Sequence, residues 1–238
     1  MRANKPDFKV VCANDKAEIY LYDVIGEDFF GGISAKMFTD EMKAAKSAKV
    51  IDLHINSPGG DVFDGNAIYT QLRAHRATVN VFVDGVAASI ASVIAMAGDS
   101  IEISPNGYFM IHQPTGGGGG TAQDHRQLAD LLDKVTGTIA ETYARKTDTK
   151  PAAWLDTMAA GEKWYTAQES IDAGLADKIG AAGNVAACAG LKLFNYRFVP
   201  EAWKLDSQSP PNPIVKPADY AERIRLLTEF NRSLNPKD

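Results

Sequence analysis

The sequence has little cysteine and no excess of positive charge, and each shortage excludes a class of protein. Its 238 residues include two cysteines, Cys12 and Cys188, with no companions at the spacing of a disulfide framework or a zinc site. We therefore expect two free, buried thiols in a reducing compartment. With 25 basic against 30 acidic residues, the formal net charge is −5, unlike a protein that binds nucleic-acid phosphates.

The chain also lacks a long apolar run. Its longest nearly apolar stretch, Val86 to Gly98, is far shorter than the ~20 residues of a membrane-spanning helix. The first residues, MRANKPDFKVV, contain no apolar segment of the kind found in secretory signal peptides. We expect a cytoplasmic protein with no membrane partner. An apolar share of 45% and a charged share of 23% are ordinary for a globular chain.

Strands and helices are predicted to alternate through about the first 180 residues. Amphipathic or small-residue patterns predict a helix after each of the first three strands. This alternation predicts an α/β fold with a mainly parallel sheet. Runs rich in β-branched and aromatic residues predict strands at 18–25, 50–56, 78–83, 100–104 and 108–111.

A longer helical pattern runs from Thr121 to about Lys146, with its apolar residues close to one face. At about 1.5 Å per residue such a helix extends ~39 Å, more than a compact small domain needs. We expect it to project toward another subunit. Two short helices are predicted after it, at 151–159 and 167–174, the second with Thr166 as its N-cap.

The composition changes after residue 180. Residues 200–217 are rich in proline and polar side chains, which predicts a flexible linker. Residues 218–238 can form an amphipathic helix. We therefore divide the chain into an α/β domain at 1–199, a linker at 200–217 and a helical tail at 218–238.

Three segments carry residue types suited to acyl transfer. Ser89 lies between a predicted strand and a helix among glycines and alanines, the setting of a nucleophilic serine, although a plain helix N-cap explains the same placement. His112 ends the last predicted strand, where sites of α/β folds are built, and a purely structural histidine is the alternative. Gly59 and Gly60 end an earlier strand, where their backbone amides can face an anion.

Four motifs together resemble the Clp protease proteolytic subunit family, in its order and spacing. The resemblance implies the fold that Clp proteases share with crotonase-type enzymes, made of repeated β-β-α units with a protruding handle helix. It also implies a serine endopeptidase that needs no metal or organic cofactor. The motifs are INSPGGDV at 55–62, GVAASIASVIAMAGD at 85–99, IHQPTGG at 111–117 and WYTAQESIDAGLADKI at 164–179.

The resemblance assigns roles position by position. Residues Gly116 to Gly120 offer no side chains to pack and predict either a loop or a strand used through its backbone; the resemblance favours the substrate-binding strand. The implied parts are the nucleophile Ser89, the general base His112, the oxyanion-hole amides of Gly60 and Ile90, and the substrate-binding residues Gly116, Gly117 and Gly118.

The acidic member of the site departs from the family pattern. Bacterial Clp subunits have an aspartate where this sequence has Glu162. A glutamate can still orient His112, but its extra methylene changes its reach. Asp156 is a second candidate, and a serine–histidine dyad without a carboxylate is a third.

The resemblance is closer to the phage branch of the family, the prohead maturation proteases. It rests on EDFFGGISAK at 27–36, DVFDGNAIY at 61–69 and the pair Glu162 and Trp164. It implies a ring-forming homo-oligomer that processes scaffold and capsid proteins in the host cytoplasm or inside the prohead. The alternatives are a host-type subunit that works with an ATP-dependent unfoldase, a catalytically silent assembly component and an acyl-CoA enzyme.

Overall fold

The computed structural model describes residues 8–27 and 32–181. The predicted linker and helical tail at 200–238 lie outside this part of the chain, as does Cys188. Within the described ranges, no helix has the length and apolar character needed to cross a membrane.

An eight-stranded sheet frames the molecule. Along its main path the strands follow the order β1-β2-β3-β4-β5-β8, while β6 pairs with β4 and with β7. The β1–β2 and β6–β7 pairs are antiparallel and the other pairs are parallel, which confirms the predicted mainly parallel sheet. The strands are β1 (Phe8–Ala13), β2 (Lys16–Leu21), β3 (Val50–Ser57), β4 (Thr78–Ala88), β5 (Ser100–Ile103), β6 (Tyr108–Ile111), β7 (Lys163–Tyr165) and β8 (Lys178–Ile179).

Helices alternate with the strands from β2 to β5, and the remaining helices follow β6. The predicted α/β class is therefore confirmed, and each predicted helix within the described ranges is present, α5 with the predicted bounds. The helices are α1 (Ala35–Met42), α2 (Val62–Ala74), α3 (Ile90–Ala95), α4 (Ala122–Thr147), α5 (Pro151–Ala159) and α6 (Ala167–Asp172).

The core lies on one face of the sheet because side chains alternate along each strand. Ile19, Leu53 and Val81 occupy that face in three neighbouring strands and are fully buried. Phe38 of α1 and Leu72 of α2 belong to the same apolar cluster.

The opposite face of the sheet is only partly buried and carries an aromatic row. The rings of Tyr20 and Phe82 stack on either side of His54, with centroid separations of 4.7 and 4.9 Å. His54 Nδ1 lies 2.8 Å from the Asp84 carboxylate. This histidine therefore already has a carboxylate and two rings as neighbours, away from the segments that carry the predicted site.

Strand β4 extends beyond its predicted end at residue 83. The strand continues to Ala88, pairing with β5 before this point and with β6 after it. A Cβ at Gly85 would lie 2.7 Å from the Asn56 amide oxygen, so a larger residue here would displace the Asn56 side chain.

Strand β1 was not predicted, and it corrects the expectation of a buried thiol. Asn14, with φ of 54°, turns the chain between Ala13 and Lys16, which pair directly; asparagine tolerates this left-handed conformation well. Cys12 lies in this hairpin as a free, exposed cysteine.

Helix α4 is the predicted long helix, with 26 residues. Thr121 and Asp124 form a capping box at its start, which satisfies amides that have no partner within the helix. From Thr136 onward it packs into the core, and its buried residues include Ile139 and Tyr143. The first half is mostly exposed, so the helix projects from the sheet.

Candidate active site

Ser89 connects β4 to α3 in a rare backbone conformation. Its φ of 52° and ψ of −127° are seldom adopted by residues other than glycine, and neighbouring contacts must maintain them. One such contact is the bond from its amide to the Met110 carbonyl at 2.8 Å. The hydroxyl makes no N-cap hydrogen bond with α3, so helix capping does not explain this serine.

The Ser89 hydroxyl instead faces a histidine. His112 Nε2 lies 2.7 Å from Ser89 Oγ. The sheet brings the two together because β4 and β6 are parallel neighbours, with Ala88 opposite Met110, and parallel strands end at the same edge. Just beyond these paired segments the two functional side chains meet.

His112 is partly buried, and its surroundings act on its basicity in two directions. Burial lowers the pKa of His112 below its ordinary value of 6.5, and the charge of Glu162 raises it. Burial is the larger effect, so the imidazole is neutral near pH 7 and can accept a proton from a neighbouring hydroxyl.

The position of Glu162 follows from the pairing of β6 with β7. Ile111 lies opposite Lys163 in this antiparallel pair, and continuing the register by one residue sets His112 opposite Glu162. Asp156 is an exposed residue of α5, a helix whose buried residues are Trp154 and Met158. Of these two carboxylates, Glu162 is the one whose charge raises the pKa of His112.

The Gly59–Gly60 turn packs directly against the serine. Both glycines have positive φ, 89° and 147°, which side chains on other residues disfavour. A Cβ at Gly59 would lie 2.7 Å from Ser89 Cβ, and one at Gly60 would lie 2.0 Å from the Ile25 carbonyl oxygen. The close approach of these backbones therefore requires both glycines.

Among the hydrogen bonds found in the described ranges, the amides of Gly60 and Ile90 donate none. Ile25 bonds to the two residues that flank Gly60: its amide donates to the Gly59 carbonyl at 2.9 Å, and its carbonyl accepts from the Asp61 amide at 2.8 Å. Neither bond uses the Gly60 amide. Ile90 begins α3, and the first amide of a helix has no acceptor within that helix. The two backbone donors thus lie in the two segments next to the Ser89 side chain, the Gly59–Gly60 turn and the start of α3.

A small cleft opens beside Ser89 and His112. Its walls are mainly apolar and come from α2, α3, α4 and the segment after β6. The other lining residues are Val62, Ile90, Val93, Pro114, Ile139 and Tyr143.

The glycine run after His112 is exposed and has no regular secondary structure. A Cβ at Gly117 or Gly118 would meet nothing within 4 Å, whereas one at Gly116 would lie 3.4 Å from Leu128 of α4. The run therefore passes along α4 with open space beside it, and of the two predicted forms it has that of a loop.

The comparisons with known proteins decide the family. The Clp protease family model matches residues 8–183. This chain belongs to the Clp protease family. A proteolytic subunit 1 of the ATP-dependent Clp protease of Leifsonia xyli is 33% identical over 163 residues, which are 68% of this chain and 81% of that protein. Membership of the Clp protease family implies serine-type peptidase activity.

Two further Clp relatives and a solved structure agree. The proteolytic subunit 2 of Thermobifida fusca is 36% identical over 58% of this chain and 68% of its own length. The Streptococcus pneumoniae subunit is 37% identical over 62% and 75%. A mutant form of ClpP1 from Listeria monocytogenes superposes with a TM-score of 0.60, at 23% identity over 68% of this chain and 90% of that one, and shows the Clp fold.

Two residues beside the site of this Clp family member were not singled out from the sequence. Ser92 lies one turn after Ser89 in α3, and its hydroxyl is 2.7 Å from that of Tyr143. The sequence offered a weak signal, a second serine in the motif GVAASIAS at 85–92. In the sequence, Tyr143 is not distinguishable from the other residues on the apolar face of the predicted long helix.

Proposed function

We propose that this chain is a serine endopeptidase in which Ser89 is the nucleophile and His112 the general base. The 2.7 Å contact between His112 Nε2 and Ser89 Oγ carries the proposal. A nucleophilic serine needs a neutral base within about 2.6–3.2 Å, and burial keeps the pKa of His112 below its ordinary value.

The chemistry follows from these two groups. Ser89 Oγ attacks the peptide carbonyl as His112 Nε2 takes the hydroxyl proton, and a tetrahedral intermediate forms. His112 then gives that proton to the leaving amine, the C–N bond breaks, and an acyl-enzyme remains on Ser89. A water molecule, deprotonated by His112, then attacks the ester carbonyl. The C–O bond to Ser89 Oγ breaks, His112 gives its proton back to Oγ, and the carboxylic acid product leaves.

Three further parts complete the proposal. The amides of Gly60 and Ile90 bind the oxyanion of the tetrahedral intermediate. Glu162 stabilises the imidazolium form of His112, consistent with the rise that its charge gives to the pKa of the histidine. The backbone of the exposed glycine run binds the substrate chain, through Gly116, Gly117 and Gly118.

Replacement of the nucleophile tests the proposal. Ser89→Ala is expected to lower kcat/KM for a fluorogenic peptide by about 10³-fold or more, and to abolish labelling by a fluorophosphonate. Ser47→Ala, which removes an exposed serine outside the site, is the matched control and should behave as wild type. Mass measured in the same preparations reports whether assembly is unaffected.

Full peptidase activity in Ser89→Ala would reject the assignment. A wild-type protein that neither cleaves peptides nor reacts with the fluorophosphonate would instead favour a silent assembly component. The acyl-CoA alternative would require turnover of a CoA thioester without any labelling of Ser89.

For the biological role, we propose processing of phage scaffold and capsid proteins by a homo-oligomeric ring, in the host cytoplasm or inside the prohead. The motifs at 27–36 and 61–69 and the pair Glu162 and Trp164 support this choice. A host-type role with an ATP-dependent unfoldase is the second candidate, because the relatives named above are subunits of ATP-dependent proteases.

Co-expression with the scaffold and capsid proteins of the same source separates the two roles. A processing protease should cut its assembled, folded partner into a few large fragments without ATP or an unfoldase, and Ser89→Ala should leave the partner intact. Cleavage only of unfolded chains, or only with an unfoldase and ATP, would instead support the host-type role.

A further inference from the structure

We propose that Ser92 and Tyr143 are positioning residues that hold the Ile90 amide in place through the Ser89 carbonyl. The inference rests on the proposed peptidase function. It assigns a task to two hydroxyls that the mechanism above leaves unused, although both lie beside the site. Ser92 and Tyr143 are 0% and 1% exposed, so water cannot replace the bonds between them.

The two hydroxyls form a directed chain of hydrogen bonds. The Ser92 hydroxyl donates to the Ser89 carbonyl, so its oxygen is left to accept from the Tyr143 hydroxyl at 2.7 Å. Burial raises the pKa of Tyr143 far above its ordinary value, so the phenol keeps the proton that it donates. The chain thus runs from α4, through α3, to the backbone of the nucleophile.

The hydrogen bond to the Ser89 carbonyl also affects the Ile90 amide, because the peptide bond between these residues is planar. The Ser89 carbonyl and the Ile90 amide belong to the same peptide unit, and in a trans peptide they point in opposite directions. Whatever holds the carbonyl therefore also aims the amide. Any error in that aim weakens a hydrogen bond to an oxyanion, which acts only in the transition state.

The backbone at Ser89 makes such support necessary. Its ψ of −127° sets the rotation of this peptide unit, and the conformation is one that needs surrounding contacts to persist. The Ser92 amide also donates to the Ser89 carbonyl, at 3.0 Å. A serine that bonds to a carbonyl one turn earlier is common in helices, but here a second helix supports it through Tyr143.

Kinetics of three variants test the proposal. Ser92→Ala should lower kcat about tenfold, less than the loss of an oxyanion donor itself, and leave KM within about twofold. Tyr143→Phe, which keeps the ring, should have the same effect to a smaller degree. Because Tyr143 acts through Ser92, the double variant should be no slower than Ser92→Ala, a non-additive result.

The affinity of a peptide boronate is the second measurement, because its adduct with Ser89 places an oxygen in the oxyanion hole. A general loosening of the core would not change this affinity selectively. The affinity of the boronate should fall in parallel with kcat while the KM of the peptide substrate stays constant. Ser170→Ala and Thr142→Val are matched controls. Each removes a buried hydroxyl that bonds to a carbonyl one turn earlier, Ser170 in α6 and Thr142 in α4, and each should keep wild-type kcat.

The outcomes separate the two proposals. A wild-type protein without Ser89-dependent hydrolysis would overturn the proposed function and this inference with it. A Ser89-dependent wild type with full kcat in Ser92→Ala would overturn the inference alone. So would equal losses in kcat and in substrate affinity, or losses in the two single variants that multiply in the double variant.

Discussion

At the scale of single residues, the site depends on a strained serine that the backbone supports from several directions. Ser89 has an unusual φ, its amide bonds to Met110 and its carbonyl accepts from the Ser92 amide. Such strain costs of the order of 1–3 kcal/mol. Residues in strained conformations of this kind concentrate at functional sites, because the fold supplies the energy that holds a reactive group in place.

The carboxylate Glu162 gives a prediction about pH. Its charge raises the pKa of His112, so Glu162→Gln, which removes the charge, should lower that pKa. The base works only when neutral, and activity is lost as pH falls through its pKa. The acid limb of the kcat/KM profile should therefore move to lower pH, while the maximal rate falls roughly a hundredfold because the imidazolium loses its stabilising partner.

The measurement is a pH–rate profile from about pH 5 to 9 for wild type, Glu162→Gln and Asp156→Asn. Asp156→Asn is the control, since this residue is exposed on α5, and should match wild type. An unchanged profile in Glu162→Gln would assign the proposed site a serine–histidine dyad. A shift confined to Asp156→Asn would move the acidic role to that residue.

At the scale of helices and strands, local patterns predict the elements well but not how far β4 extends. The alternation of apolar residues predicts β2, β3 and the first half of β4, because one face of each is buried in the core. The extension of β4 to Ala88 pairs with β6 and contacts the Asn56 side chain, whose amide oxygen accepts from the Val86 amide at 3.2 Å. A contact between residues so far apart along the chain leaves no local signal, so the predicted strand ends at residue 83.

The same reasoning explains which parts of the candidate site were predictable. Ser89 and His112 follow strands in motifs that resemble a family, so their positions could be named from sequence. Their 2.7 Å contact depends on β6 pairing with β4, which no local pattern specifies. The chain from Tyr143 through Ser92 depends on the packing of α4 on α3, and a tyrosine on an apolar helix face has no distinguishing mark.

At the scale of the whole molecule, α4 divides into a half that belongs to the core and a half that does not. Its buried residues begin at Thr136, while Leu131 is 44% exposed and Leu128 and Leu132 are only partly buried. Those three leucines recur at helical spacing on one face. An amphipathic face of this kind is expected to pack against another surface, which supports the proposal of a homo-oligomer.

Leu131→Asp tests whether this face joins copies of the chain. A carboxylate transferred into an apolar contact is strongly unfavourable, so association should weaken at least about tenfold, and sedimentation velocity should show a smaller species. Arg126→Asp introduces the same side chain on the opposite face of α4, where the residue is exposed, and should keep the wild-type mass. Equal masses for both variants and wild type would exclude this half of α4 from any assembly. Dissociation in Arg126→Asp alone would place the contact on the polar face instead.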